Sequence, residues 1–328
     1  MAAIVLENLS KTYRVKVRGE GLKNAIKSLA RPDYKEVEAV RNISFSVNEG
    51  EMLAFIGPNG AGKSTTIKML TGILHPTGGS MNVLGYNPVK ERRKLSYNIG
   101  AVFGQKSQLS FHLPPVDSFR LLSSVYEIER SVYESRLKQL ADLLELNDFL
   151  DTPVRKLSLG QRIRCEFAAS LLHAPRILFL DEPTIGLDVV VKHRIRDLII
   201  KLNKEENTTV FLTSHDAGDV ENLCRRAIVI DHGTVALDMP VKKLKYDYLN
   251  KKVVSLKLNE SASIPEPPGV ELIKKTPYAV KFSVDTRIAP ISSILAMLDA
   301  RNIADITIEE PPMEDIIEAI YMGRREGG

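Results

Sequence analysis

Three things are scarce in this chain, and each scarcity narrows what it does. Cysteine is nearly absent: Cys165 and Cys224 are the only two in 328 residues. Both fall in stretches expected to be helical, where small apolar packing is the expected role, and their spacing offers no metal site. Long apolar runs are missing too. Nothing approaches the roughly 18 consecutive apolar residues of a membrane span. Met1-Ala2-Ala3-Ile4-Val5-Leu6-Glu7 reads as an ordinary first strand, not as a signal peptide. Net charge is the third scarcity. With 45 basic and 41 acidic residues the sum is +4, too balanced to imply nucleic-acid binding overall. A hydrophobic content of 44% and a charged content of 26% are those of a soluble globular protein. The length suits about two domains. A cytoplasmic location is expected, with other chains supplying any membrane segments.

What is present begins with Gly57-Pro58-Asn59-Gly60-Ala61-Gly62-Lys63-Ser64-Thr65. This is a complete phosphate-binding loop, G-x-x-x-x-G-K-S, set between an apolar strand, Met52 to Ile56, and a helix beginning at Thr65 to Leu70. Its glycines let the backbone curl so that N–H groups point at phosphate oxygens, and the following helix adds positive potential. Lys63 is expected to reach the β- and γ-phosphates of a nucleoside triphosphate, and the Ser64 hydroxyl to ligate Mg²⁺. Ile177-Leu178-Phe179-Leu180-Asp181-Glu182 is an apolar run ending in two acids. A buried parallel strand has that look, and ligands gather at its carboxyl end. Asp181 fits a Mg²⁺-associated carboxylate and Glu182 the residue that polarises the attacking water. Leu157-Ser158-Leu159-Gly160-Gln161-Arg162 opens a helix able to aim its dipole at an anion. Leu212-Thr213-Ser214-His215 is another apolar strand ending in a polar residue, 34 positions beyond Asp181, and Gln105 follows a strand at Ile99 to Phe103.

These segments, in this order, resemble the ATP-binding cassette of ABC transporters over about residues 3–240. Ser158-Leu159-Gly160-Gln161 is similar to the family signature, usually Ser-Gly-Gly-Gln. Leu159 in place of the second glycine removes some backbone freedom. The resemblance makes Gln105 the Q-loop glutamine, a further Mg²⁺ ligand and part of the catalytic set with Lys63, Glu182 and His215. Gly186-Leu187-Asp188 corresponds to the D-loop, His215 to the switch histidine, and Tyr13 to the aromatic that stacks on adenine. The implied fold is α/β: a P-loop NTPase cassette with a mixed sheet core and a helical subdomain over about 106–157. The implied active unit is a head-to-tail dimer, each ATP held between one chain's phosphate loop and the other chain's Ser158, Gly160 and Gln161. Gly104-Gln105-Lys106-Ser107-Gln108-Leu109 and Thr184-Ile185-Gly186-Leu187-Asp188 favour the narrower ABC-2-type exporter subgroup. The function implied is a peripheral Mg-ATPase on the cytoplasmic face of the membrane, driving separate permease subunits. An importer subunit, or a soluble ABC protein acting on ribosomes or DNA, are the alternatives; the latter usually carries two cassettes or a long coiled coil, and this chain has neither.

Further strands are expected at Ile4 to Leu6, Val40 to Val47 and Met81 to Leu84. Pro114 and Pro115 are expected to break the chain before helices at Val116 to Tyr126 and Tyr133 to Leu146, the second with a stripe of Leu137, Leu140, Leu143 and Leu144. By the resemblance, Phe111, His112 and Leu113 lie near the contact with the membrane partner. A helix over Val189 to Leu202 turns Ile195, Leu198, Ile199 and Leu202 to the core. His232-Gly233 suits a tight hairpin turn between Ala227 to Asp231 and Thr234 to Asp238. From 241 to 328 a small accessory α+β domain is expected. It has strands at Lys251 to Leu258, Val270 to Lys274, Ala279 to Val284 and Ile303 to Ile308, a loop of Pro265, Pro267, Pro268 and Gly269, and helices at Ile291 to Ala300 and Met313 to Met322. It carries no chemical motif, and packing, dimerisation and regulation all remain open.

Finally, about residues 15–37 form an insert between Tyr13 and Val40. Between Lys11 and Lys35 there are eight basic and two acidic residues. Leu22, Ile26 and Leu29 recur at helical spacing, with Lys23, Lys27 and Arg31 off that face and Pro32 as the stop. Such a stretch suits an anionic membrane surface, the permease, or the cassette's own flank.

Overall fold

Short apolar runs build the centre of the first of two units, Met1–Met239 and Pro240–Gly328. The computed structural model describes residues 1–16, 34–104, 107–214, 216–248, 251–260, 267–296 and 300–309. Gln105, His215, Pro265, the apolar and basic positions of the insert (Leu22, Lys23, Ile26, Lys27, Leu29 and Arg31) and the helix expected over Met313 to Met322 lie outside the described residues.

Strands β1 (Ala2–Lys16), β2 (Tyr34–Asn48) and β4 (Gly78–Val83) form a three-stranded antiparallel sheet in the order β2-β1-β4. The β1–β2 pairing extends to Val15↔Lys35 and Lys16↔Tyr34. Both described ends of the insert therefore continue the ribbon that carries Tyr13. The second sheet runs β5 (Ile99–Phe103), β6 (Ile177–Asp181), β7 (Thr209–Thr213), β3 (Met52–Ile56), β8 (Arg226–Asp231), β9 (Thr234–Pro240). Its first five strands pair in parallel. The middle residues of β6, β7, β3 and β8 are wholly buried, as continuous apolar sequences demand, while Ala101 of the edge strand β5 is partly exposed. His232 and Gly233 both take positive φ, 45° and 80°, and close the β8–β9 hairpin as a two-residue turn of primed hand requires.

The two sheets share one core. Phe45 of β2 packs on Phe55 of β3 at 5.7 Å between ring centroids, and Phe55 on Phe211 of β7 at 5.3 Å. Helix α1 (Lys63–Leu70) drives Ile67, Met69 and Leu70 into the same cluster. Short α2 (Arg92–Ser96) adds Leu95.

Pro115 starts a helix where a break is expected. It occupies the first turn of α3 (Pro115–Val125), where a missing N–H costs no bond. Helix α4 (Arg130–Leu144) buries Tyr133, Leu140, Ala141 and Leu144, while Leu143 stays exposed. The face chosen is thus one position round from the all-leucine stripe. Helices α5 (Leu159–Leu171) and α6 (Val189–Glu206) follow, and α6 buries Ile195, Leu198, Ile199 and Leu202 as expected. Cys165 lies in α5. Cys224 lies just past α7 (Ala217–Leu223), in extended backbone, and not within a helix. Both thiols are buried, and burial pushes the Cys165 thiol up to about 12 and the Cys224 thiol higher still, so neither is poised as a nucleophile.

The second unit opens with α8 (Val241–Tyr248), a helix that no pattern in the sequence leads one to expect. Strands β10 (Lys251–Leu258), β11 (Val270–Thr276), β12 (Ala279–Asp285) and β13 (Ile303–Glu309) make an antiparallel sheet in the order β11-β12-β10-β13. Val254, Leu256, Phe282 and Val284 pack with Ile294 of α9 (Ile291–Ala296) in its core.

Candidate functional site

The phosphate loop is the turn from β3 into α1, and its shape is enforced by crowding. Gly62 takes φ 109°, and a Cβ there would lie 2.4 Å from the Ala39 carbonyl oxygen; at Gly57 a Cβ would lie 2.3 Å from the Ile230 oxygen. Only glycine fits either place. Residue Ala61 is tied from both sides, its N–H donating to the Pro58 carbonyl at 3.1 Å and its carbonyl accepting from Gly233 at 3.1 Å. No side chain caps α1, which leaves its first turn for an anion. Lys63 folds back over the loop and donates to the Gly57 carbonyl at 2.5 Å and the Pro58 carbonyl at 3.1 Å. It is 5% exposed. Burial lowers its pKa, while the charges of Glu182 and then Asp181 pull the other way. A buried cation held by neutral carbonyls, with two carboxylates nearby, suits a polyphosphate better than solvent.

The acids at the end of β6 meet this loop. The Ser64 hydroxyl donates to Asp181 Oδ1 at 3.1 Å, and the Thr213 hydroxyl of β7 donates to the same oxygen at 2.7 Å. One hydroxyl and one carboxylate are hard oxygen donors, and they fit an ion such as Mg²⁺ that keeps most of its ligands as water and phosphate. Among the described residues no group of three or more His, Cys, Asp or Glu side chains is arranged to hold a metal by itself. Glu182 sits in left-handed backbone, φ 53°, which costs a non-glycine residue energy and recurs at functional sites. Its N–H donates to the Thr213 carbonyl at 3.0 Å. Gly104 donates to the Asp181 carbonyl at 3.1 Å, and a Cβ at Gly104 would lie 3.0 Å from the Glu182 oxygen. Gly104, one residue before Gln105, therefore lies against the backbone of the two acids.

A polar network behind this site escapes a reading of motifs. Asp219, fully buried, accepts from the Thr184 hydroxyl, from the Ser214 hydroxyl at 3.1 Å and from Arg196 Nε at 2.7 Å. Arg196 also donates to Asp216 at 3.1 Å, and Lys192 pairs with Asp216. Thr184 stands two residues after Glu182, and Ser214 stands one before His215. One carboxylate thus fixes the chain just beyond the first and just before the second. The available signal is Asp216-x-x-Asp219, where Asp216 caps α7. Thr213 carries no sequence signal beyond ending an apolar strand.

Ser158, Gly160 and Gln161 form a second cluster at the start of α5. Ser158 is the N-cap: its hydroxyl accepts from the Gln161 N–H at 3.2 Å, and Gln161 Oε1 accepts from the Ser158 N–H at 2.9 Å. Leu159 is the first helical residue, and its φ is not left-handed. The expected loss of freedom at that position therefore has no local consequence. Its side chain lies along Gly186 instead, where a Cβ would sit 3.2 Å from Leu159 Cδ2. Gly160 faces Val191 of α6. Leu159, Ile185, Val189 and Val190 are all exposed around this point.

Tyr13 is half-buried on β1, opposite Val37, with the Lys11 ammonium 5.3 Å from its ring centroid. Lys11 is anchored on the His75 carbonyl at 2.8 Å. The face of an aromatic ring flanked by a fixed cation suits a stacked base.

Against this geometry stand the likenesses to known proteins. The ABC transporter family profile matches residues 40–185. The ABC transporter ATP-binding protein NatA of Bacillus subtilis is 32% identical over 201 residues, 61% of this chain and 81% of that protein. The bacitracin transport ATP-binding protein BcrA of Bacillus licheniformis is 30% identical, covering 69% of this chain and 72% of BcrA. The daunorubicin/doxorubicin resistance ATP-binding protein DrrA of Streptomyces peucetius is 33% identical, covering 71% and 70%. Among solved structures, the dimeric post-hydrolysis state of the ATP-binding cassette MJ0796 with ADP and Pi superposes with a TM-score of 0.62 at 26% identity, over 73% of this chain and 98% of that one.

Proposed function

Because this chain belongs to the ATP-binding subunits of ABC transporters, which are ATPases that dimerise and work with membrane subunits, we propose that it powers export through separate ABC-2-type permeases. One observation carries the chemical part: Lys63, Ser64, Asp181 and Glu182, brought from two separate segments, converge at the carboxyl ends of β3 and β6. In this reading the phosphate loop cradles the ATP phosphates, Lys63 neutralises them and Tyr13 takes the adenine. Ser64 and Asp181 would hold Mg²⁺, which when bound would supply charge screening at the γ-phosphate. Glu182 orients and polarises the water for in-line attack, with Gln105 and His215 completing the set. Ser158, Gly160 and Gln161 of a second copy close over the same ATP. The open apolar surface of Leu159, Ile185, Val189 and Val190 supports such a pairing, since exposed patches of this kind mark interfaces.

Export is supported by the names of relatives. Besides the bacitracin transport and daunorubicin/doxorubicin resistance proteins, the fluoroquinolones export ATP-binding protein Rv2688c of Mycobacterium tuberculosis is 38% identical over 205 residues, 62% of this chain and 66% of that protein. Among the described residues no helix is long and apolar enough to cross a membrane, which is in keeping with peripheral attachment to the inner face through a partner. Exposed Phe111, Leu113, Leu121 and Val125, on and before α3, offer that partner an apolar surface. The domain reading, a cassette over 1–240 and an accessory domain over 241–328, is supported by the division after Met239. The test is affinity purification of the full chain from detergent-solubilised membranes. An integral membrane protein recovered with it in fixed ratio is the expected result; quantitative recovery without any membrane chain contradicts the reading.

A further inference from the structure

One buried acid takes no part in the chemistry described above. Glu166 lies eight residues beyond Ser158 on α5 and is 4% exposed. Burying a carboxylate is costly unless its lone pairs are used. Here they are used by another segment: the Ser107 hydroxyl donates to Oε1, and the Gln108 N–H donates to Oε2 at 3.0 Å. The Ser107 hydroxyl oxygen also accepts from the Leu109 N–H at 3.1 Å, and Gln108 Nε2 donates to the Ala101 carbonyl of β5 at 2.9 Å. Residues 107–109 are therefore clamped between β5 and α5. They follow Gln105 almost at once, and on the other side of Gln105 the Gly104 N–H is bonded to Asp181. Gly104, tied to the Asp181 backbone, and Ser107, tied to Glu166, thus stand three residues apart in sequence, one fastened beside the phosphate site and the other to the helix that begins at Ser158.

We infer that Glu166 is a positioning residue that couples the two ATP sites of the dimer. It links the segment sensing a copy's own ATP to the α5 start that the same copy lends to its partner's ATP. This rests on the shared-site reading proposed above. The two ends of the link serve different sites, so the link has a signature that a merely structural acid lacks. An acid that only holds α5 in place affects only the site α5 completes. An acid that couples affects both.

The experiment uses mixed dimers of the full chain with a single live site. One copy carries Lys63→Ala and the other Ser158→Arg, which leaves one intact pairing of Lys63 with Ser158. Glu166→Gln keeps the side-chain volume but removes the charge and one of the two acceptor oxygens that the clamp uses. It is placed first on the copy lending Ser158, then on the copy lending Lys63. Coupling predicts that kcat falls about tenfold in both placements while KM changes less than about twofold. A fall only when Glu166→Gln sits on the Ser158 copy overturns the inference, and so does no fall in either. Should Glu166→Gln fail to fold, Ser107→Ala in the same two placements separates the same outcomes, because it removes one arm of the clamp from an exposed loop residue. A parent mixture lacking Glu166→Gln that shows no more turnover than its two parents identifies the shared-site reading as the failure, and the coupling falls with it.

Discussion

The phosphate loop and the start of α5 handle the same ligand in the proposed dimer, yet they are built in opposite ways. Around the loop, charge is buried and backbone is strained: Lys63 is sunk among carbonyls, Gly62 sits at φ 109° and Glu182 at φ 53°. Strain persists only where surroundings over-determine it, and here β7, β8 and the Asp219 network do so. The start of α5 is relaxed. Its capping box satisfies its own first amides, its backbone is ordinary, and the apolar residues beside it stand open; Val189 is 69% exposed. The first region is a preorganised site within one chain. The second, in the proposed dimer, is a surface whose complement lies on the other copy.

The largest expected effect tests what supports the strained region. Asp219→Ala leaves the guanidinium of Arg196 buried with Asp216 as its remaining acid, and removing one member of a buried ion pair costs about 3 kcal/mol or more. Thermal melting should fall accordingly, and ATP turnover should fall further than melting explains, since Thr184 and Ser214 lose their anchor. Unchanged melting and turnover together would show that the network is incidental. Next in size is Lys63→Ala, which removes the buried cation and should weaken ATP binding about a hundredfold. Equilibrium binding of a fluorescent ATP analogue measures it, and affinity within a few-fold of the parent would break the contrast at its strained end. Smallest is Ser158→Ala. Losing the cap should cost about 1 kcal/mol of stability, with nucleotide affinity of the isolated chain unaltered, because the relaxed region contributes only when two copies meet. A drop in the isolated chain's affinity would mean that the two regions are not separate.

Much of the strained region was legible in the sequence, because its pieces are short and local. A strand, a glycine loop and a helix in succession carry their own signature, and so does an apolar run that stops at Asp181-Glu182. The helix face of α6 and the His232-Gly233 hairpin were legible for the same reason: period and turn chemistry are properties of neighbours. What stayed hidden depends on residues far apart in sequence. Asp219 meets Thr184 across 35 positions, and Glu166 meets Ser107 across 59. Neither pairing imposes a repeat on the chain. Helix α4 illustrates a second limit. Leucines at 137, 140, 143 and 144 define a stripe, but packing selected Tyr133 and Ala141 with Leu140 and Leu144, since a helix in contact with α5 buries whatever faces that neighbour. Pro115 shows a third, for a residue that reads as a break in the chain here fills the first turn of a helix.

Glu182→Gln tests the account's central claim most directly, that the acids closing β6 act on a water beside bound ATP. The substitution keeps volume and hydrogen-bonding reach but removes the base. Steady-state hydrolysis and ATP-dependent pairing on size-exclusion chromatography are measured on the same preparation. The account predicts that MgATP still binds, that turnover drops about a hundredfold or more, and that the paired form accumulates because it closes but rarely hydrolyses. Turnover close to that of the unsubstituted chain, with no accumulation of the pair, would contradict it.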